Sequence, residues 1–371
     1  MPRVRRTAAA LAVVLAAAAC TSDGDAGPSQ RSGPDGGPVL LGTVDLDAAV
    51  GGDARLLDLA APPGGDPVAL LSDGDTRGWL VQVGSGGDGP MATTLLELPA
   101  VGDDAELTVL ADGSFLVANT SPTAGYQLLT VRPDGQATVT ALGVRPERAA
   151  TALSPDGRTL FAALTLPDAG PAQLLAVDAT SGVVSRTAPV VPEGTVTALA
   201  TRPDGGLAAL VDSGGRALLT TYGADLRPVG EPLDLASDAP VGIPAAVDVT
   251  ADGTVVATAH VDDGRRLGRL VTVVDGAVAT SVELDGVGDS ALDVVVSPDG
   301  GTAWVPTADL SFPAELVTID LASGERVSAV SLCAGAAVLG DVAPLDGDTG
   351  VVATGSCVDG DGPQATAFLV G

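Results

Sequence analysis

"ALSPDGRTLFAALT" (residues 152–165) and "VVVSPDGGTAWVPT" (294–307) follow one plan: an apolar run, a Ser-Pro-Asp-Gly turn and a second apolar run. Variants occur at 202–205 ("RPDG") and, as "ADG", at 111–113 and 251–253. In such a turn Pro presets one backbone angle, Asp can accept a hydrogen bond from its own backbone, and Gly tolerates positive φ. The aspartates at the turns are Asp66, Asp112, Asp156, Asp204, Asp252, Asp299 and Asp346, spaced by 46, 44, 48, 48, 47 and 47 residues. Seven marks at this period, each with several short strand-like runs, are the signature of a β-propeller with one blade per repeat.

The unit around Asp204 shows the content of a blade. Strand-like runs at 195–201, 207–212, 217–222 and 229–235 are separated by turns rich in Gly, Asp and Pro, which predicts a four-stranded antiparallel sheet. No segment has a convincing helical period of adequate length. After Asp346 only "VVATGSC" (351–357) and "QATAFLVG" (364–371) remain, one strand short of a blade, while "PVLLGTVDLD" (38–47) precedes the first mark and belongs to no complete unit. The expected fold is therefore all-β: seven four-stranded blades, the ring closed by the N-terminal strand completing the last one. Closure also removes exposed sheet edges.

The units "ALSPDGRTLFAALT" and "VVSPDGGTAWVPT", with second-half forms "LLAVDATSGVV" and "LVTIDLASGERV", resemble the YVTN or PD40 type of WD40-like propeller repeat across residues 38–371. The resemblance implies the fold. It leaves function open, because such propellers include enzymes, binding proteins and scaffolds.

Ahead of the repeats, residues 1–20 read "MPRVRRTAAALAVVLAAAAC": three arginines, an apolar run from Ala8 to Ala19, then Cys20 after small residues. The pattern predicts a signal peptide over 1–19, too short to span a membrane comfortably. It is similar to a bacterial lipoprotein signal, with Ala17 where Leu is commoner, and that similarity implies lipidation of Cys20. An ordinary cleaved signal is the alternative; Arg5-Arg6 also admits twin-arginine export. Residues 20–37, with no Val, Ile, Leu or aromatic side chain, are expected to be a flexible tether, so that the lipid alone holds the protein on the outer face of the cell membrane.

The 371-residue chain carries 18 arginines, no lysine and 47 acids, a formal charge of -29; removing Arg3, Arg5 and Arg6 with the signal leaves 15 minus 47, or -32. Such a surface repels nucleic-acid phosphates and anionic headgroups, so no nucleic-acid partner is expected. The lysine-free composition also resembles the coding bias of a GC-rich genome. A monomer is expected, with an envelope protein or a small ligand as its partner.

Chemistry-bearing residues are few. His260, beside Asp262 and Asp263, is the one histidine, and a strand-end histidine in an acidic loop is more often solvated than catalytic. With a single histidine and three cysteines, transition-metal ligands are scarce. "SDGDTRG" (72–78), "LDGDTG" (345–350) and "VDGDG" (358–362) alternate carboxylates, which suits calcium; Asp73, Asp75, Asp359 and Asp361 are the candidates, although no EF-hand pattern is complete and solvated turns are the plainer reading. No cofactor is otherwise expected. Ser297, Asp299, Gly301 and Trp304 match the frame of a sialidase Asp box, itself a structural turn. The chain has eight aromatic residues, few for sugar or base platforms.

Cys333 and Cys357 fall at the end of the fourth strand of blade 6 and near the end of the second strand of blade 7. Both approach one face of adjoining blades, and export permits oxidation, so a disulfide is expected, two buried thiols being the alternative. The functional expectation is a binding or scaffold module presenting the loops between second and third strands, at 72–78, 165–173, 260–268 and 306–315. No catalytic residue is assigned. The alternative is a lactonase-like or other hydrolase acting in the channel, which converging polar side chains there would favour; a channel of Ala, Val and Gly would favour binding.

Overall fold

A computed structural model describes residues 38–371, apart from 63–64, 75, 87–88, 100, 111, 122–124, 168–170, 263–265, 285–292, 310–311, 334–336, 346–349 and 360–361. Twenty-eight strands form seven antiparallel sheets of four. Within blades 1 to 6 the strands follow chain order from the inner edge at the channel to the outer edge. The blade read from sequence around Asp204 has strands Thr195–Thr201, Leu207–Asp212, Ala217–Tyr222 and Pro228–Asp234, within one residue of expectation at every boundary.

Blade 7 takes three strands from the end of the chain, Ala337–Pro344, Val351–Asp359 and Gly362–Val370, and its outer strand, Leu40–Asp45, from the start. Leu40 pairs with Val370 and Asp45 with Thr366, which closes the ring as the unpaired terminal runs predicted. One local feature departs from that reading. The expected strand 38–47 ends at Asp45, and Leu46–Val50 form a short helix. The Asp45 side chain caps it by accepting from the Ala48 N–H at 2.9 Å, and Gly51, at φ 76°, ends it in the left-handed region. A single turn has too little apolar periodicity to be seen in sequence.

Second and third strands are nearly continuous apolar runs because each blade is covered on both faces by its neighbours. Val68–Ser72 is buried throughout, as are Leu207–Val211. Small side chains such as Ala162, Ala208 and Ala257 let sheets stack with few aromatics, while Tyr126, Tyr222 and Phe368 fill the larger gaps. Outer strands meet solvent and alternate or go polar, as in Val184–Pro189.

The recurrent turn behaves as read. In both Ser-Pro-Asp-Gly copies the serine Oγ donates to the aspartate, at 2.7 Å from Ser154 to Asp156 and 2.6 Å from Ser297 to Asp299. Gly157 and Gly300 take φ of 69° and 72°. These bonds hold the Asp156 and Asp299 carboxyls below the usual carboxylate range. The Asp-box match at Ser297–Trp304 is this same structural turn.

The candidate site is a ring of channel carboxyls

The first strands of the seven blades enclose a central cavity of about 470 Å³. It is lined by Asp58 of blade 1, Glu106 of blade 2, Thr151 of blade 3, Thr197 of blade 4, Asp293 of blade 6 and Asp341 of blade 7. Asp103, Asp104, Glu147 and Arg148 also face it, with small side chains between. The polar groups converge, so the apolar channel is absent.

Three of these acids, together with Asp248 on the inner strand of blade 5, link neighbouring blades. The carboxyl of Asp58 accepts from the Leu107 N–H of blade 2, and Glu106 accepts from the Thr151 N–H of blade 3 at 2.6 Å and from its hydroxyl. Asp248 of blade 5 accepts from Val296 N–H of blade 6 at 2.8 Å, and Asp293 of blade 6 from Val342 N–H of blade 7 at 2.8 Å. Two of them also bind their own chain: Leu59 N–H donates to Asp58 and Val249 N–H to Asp248, each at 2.7 Å. Bulges mark two of the acids. The pairing register shifts at Leu56/Asp58 and at Leu339/Val342, next to Asp58 and around Asp341, whereas Glu106 and Asp248 pair regularly with Ala118 and Val256. Between blades 3 and 4 a hydroxyl takes over, Thr201 donating to the Leu153 carbonyl at 2.7 Å.

Asp341 breaks the pattern. It lies within the bulge of the blade 7 inner strand, and its carboxyl meets that of Asp58 across the junction between blades 7 and 1. Each channel acid retains some exposure to the cavity, yet protein surrounds it on nearly every side, and desolvation dominates. Burial pushes Asp58 and Asp293 up to about 8 and Glu106 up to about 7, against the opposing pull of the backbone N–H bonds. Asp341 is raised well above the usual range by burial and then by Asp58, and Asp248 is raised by burial. Neighbouring acids add repulsion: Glu106 and Asp293 on Asp58, Asp341 and Asp248 on Asp293.

These acids escaped sequence reading, although a signal exists. An acid stands four to eight residues ahead of the turn aspartate in five repeats: Asp58, Glu106, Asp248, Asp293 and Asp341. The turn acids drew attention because they recur in a fixed motif. Asp112, Asp156, Asp204, Asp252 and Asp299 are exposed at the end of the hairpin, while the inner-strand acids carry the polar chemistry of the channel.

The sequence-picked residues are scattered. Asp73 is committed to its own turn: its oxygens accept from Thr76 N–H at 2.8 Å, Arg77 N–H at 2.9 Å and Thr76 Oγ1 at 2.9 Å. Asp75 and Asp361 lie outside the described residues, and so does the side chain of Asp359. Among the described residues no group of three His, Cys, Asp or Glu side chains is placed to hold a metal ion. His260 pairs with Ile243 in the sheet and stands far along the strand from the channel acids; Asp263 is outside the described residues. Cys20 is likewise outside them.

Cys333 and Cys357 form a disulfide with Cα atoms 5.7 Å apart, joining the exit of blade 6 to the second strand of blade 7. The expected functional loops do connect second to third strands, but two are shorter than read. The hairpin of blade 5 continues pairing to Asp262 and Arg266, and that of blade 6 to Asp309 and Phe312, because β-ladders extend through polar residues when both strands continue.

No family profile and no curated protein matches the chain. Solved structures do. The chain is similar to Kuenenia stuttgartiensis hydrazine synthase, with a TM-score of 0.61 and 15% identity over 80% of this chain and 92% of that one. It is also similar to a Bacteroides uniformis protein provisionally described as a 6-phosphogluconolactonase, with a TM-score of 0.55 and 14% identity over 74% and 84%. At such identity the likeness is one of fold. This chain is a seven-bladed β-propeller.

Proposed function

We propose that the chain is an extracytoplasmic binding or scaffold module of the YVTN/PD40 type, exported by residues 1–19, held to the outer face of the cell membrane by a lipid on Cys20 and carried on the tether 20–37. Its partner is an envelope protein or a small ligand met by the loop-bearing face. The observation that carries the reading is that Asp58, Glu106, Asp248 and Asp293 each accept an inter-blade N–H, which commits one oxygen of each carboxyl to holding the ring. A general base must be able to turn toward the substrate proton, and a carboxyl pinned between two blades is held away from that task. Crosslinking of the native lipoprotein in its membrane tests this; one reproducible crosslinked partner that is lost when the loops are exchanged supports it, and recovery of random abundant proteins counts against it.

A second reading, a hydrolase acting in the channel, is favoured by the Asp58 and Asp341 carboxyls meeting beside a cavity of about 470 Å³. Two carboxyls that share a proton can divide acid and base roles. Turnover of lactone or ester substrates by the purified protein, abolished in Asp341→Asn, would establish this reading over the first.

A further inference from the structure

The ring of channel carboxyls has one irregular joint. Going round the channel, blades 1, 2, 5 and 6 each send a carboxyl to a backbone N–H of the next blade. Blade 7 supplies Asp341, and the matching N–H on blade 1 would be that of Leu59, one residue after Asp58, just as Leu107 follows Glu106 and Val342 follows Asp341. Leu59 N–H is already taken by Asp58 itself, at 2.7 Å. Asp341 is left with the Asp58 carboxyl and its own backbone N–H. Two carboxylates cannot hydrogen-bond to each other; a carboxylic acid and a carboxylate can. This joint is also where the chain closes its ring, since blade 7 is the sheet completed by Leu40–Asp45.

We propose that the seam between blades 7 and 1 is a proton-held clasp: a proton lodged between Asp58 and Asp341 keeps the two inner strands together, and its release to water leaves two facing carboxylates that loosen the seam. The groups facing the pair offer no rescue. Glu106 from blade 2 and Asp293 from blade 6 bear on it, with Asp248 of blade 5 behind Asp293. Asp103, Asp104 and Glu147 line the same cavity. The cations nearby are Arg55, paired with Asp103 at 3.5 Å and well exposed, and Arg148 at the cavity wall, also exposed, so solvent screens both. Loss of the proton therefore adds charge to an already acidic, poorly hydrated site.

The direction follows from linkage. A carboxyl whose folded pKa lies above its unfolded one stabilises the fold fully below the unfolded value, and that contribution is lost as pH rises through the folded value. For Asp58 the window runs from 3.8 to about 8. Within it the unfolding equilibrium constant rises about tenfold per pH unit for each proton held more tightly in the folded state.

The test is denaturant unfolding of the full chain across about pH 5 to about pH 9, together with hydrogen exchange of the seam. Wild type is expected to lose stability as pH rises, with protection lost first in the inner strands Arg55–Ala60 and Ala337–Pro344 and kept in blades 3 and 4. Asp341→Asn supplies a permanent amide donor to Asp58; it is expected to lower the pH slope by about one proton's worth, tenfold per pH unit, and to exceed wild type in stability at the alkaline end. Asp248→Asn, away from the pair, keeps the alkaline loss of seam protection. A parallel slope in Asp341→Asn and wild type, or uniform alkaline loss of protection around the ring, overturns the proposal. Should Asp341→Asn fail to fold, infrared spectra of wild type decide: a protonated-carboxyl band present at neutral pH and lost at the alkaline end supports the clasp, and its absence at neutral pH refutes it.

Discussion

Replacement of Asp248 by Ala removes one inter-blade link without touching the seam, and its cost can be worked out. The carboxyl accepts from Val249 N–H at 2.7 Å on its own strand and from Val296 N–H at 2.8 Å on blade 6. Truncation strands two donors in a poorly hydrated site, at about 1–3 kcal/mol each when fully orphaned. Water entering the space left by the carboxyl satisfies part of this, so a total of about 2–4 kcal/mol is expected. For a folded body of about 330 residues, with roughly 2 cal/mol/K of unfolding entropy per residue, that lowers Tm by about 3–6 °C. Asp248→Asn keeps one acceptor oxygen but turns an amide NH2 toward the second donor, and should fall between wild type and Asp248→Ala. Urea unfolding near neutral pH, followed by Trp79 and Trp304 fluorescence, measures both. A loss below about 0.5 kcal/mol for Asp248→Ala would mean that the carboxyl spans blades without holding them, and the argument for a load on the ring would fail.

Other outcomes follow from the same geometry. Cys333→Ser with Cys357→Ser opens a disulfide of sequence separation 24 and should cost roughly 3.5 kcal/mol on the chain-entropy account; two free thiols in the unreduced, unfolded wild type would refute the bridge. Tyr222→Phe removes a hydroxyl that both donates to Val191 O and accepts from Val191 N–H, each at 3.0 Å, and should cost about 1–2 kcal/mol in thermal or urea unfolding. Gly350→Ala drives a Cβ into the Val370 carbonyl of the neighbouring strand in blade 7, and lowered thermal stability with the fold retained by circular dichroism is the expected result. On the acid side, the turn aspartates Asp156, Asp252 and Asp299 have carboxyls held below 3.8 by their own turn; their contribution is present above that value and is lost as pH falls through the lowered one. Stability should therefore peak in mildly acid solution, and an optimum at alkaline pH would contradict both sets of shifts.

Blade number, ring closure and the strands of the blade around Asp204 were legible in the chain before any coordinate, because each is local or counted. A turn such as Ser154–Gly157 reports its own geometry through Pro, Asp and Gly, and seven of them at a near-constant interval count the blades. The missing strand after Gly371 and the surplus one before Asp47 imply each other. The Cys333–Cys357 pairing was within reach for the same reason, since blade order places both cysteines on one side of one junction.

The channel lay beyond sequence reading. Asp58, Glu106, Asp293 and Asp341 look like ordinary acids in or beside a strand one at a time, and the bulges next to Asp58 and around Asp341 carry no residue signature. Their partners stand 45–49 residues away on the next blade, and Asp341 meets Asp58 only across the closed ring. Periodicity assigns each acid to an inner strand. Closing seven such strands around one axis brings the carboxyls within reach of one another, takes water from them and leaves one pair to share a proton.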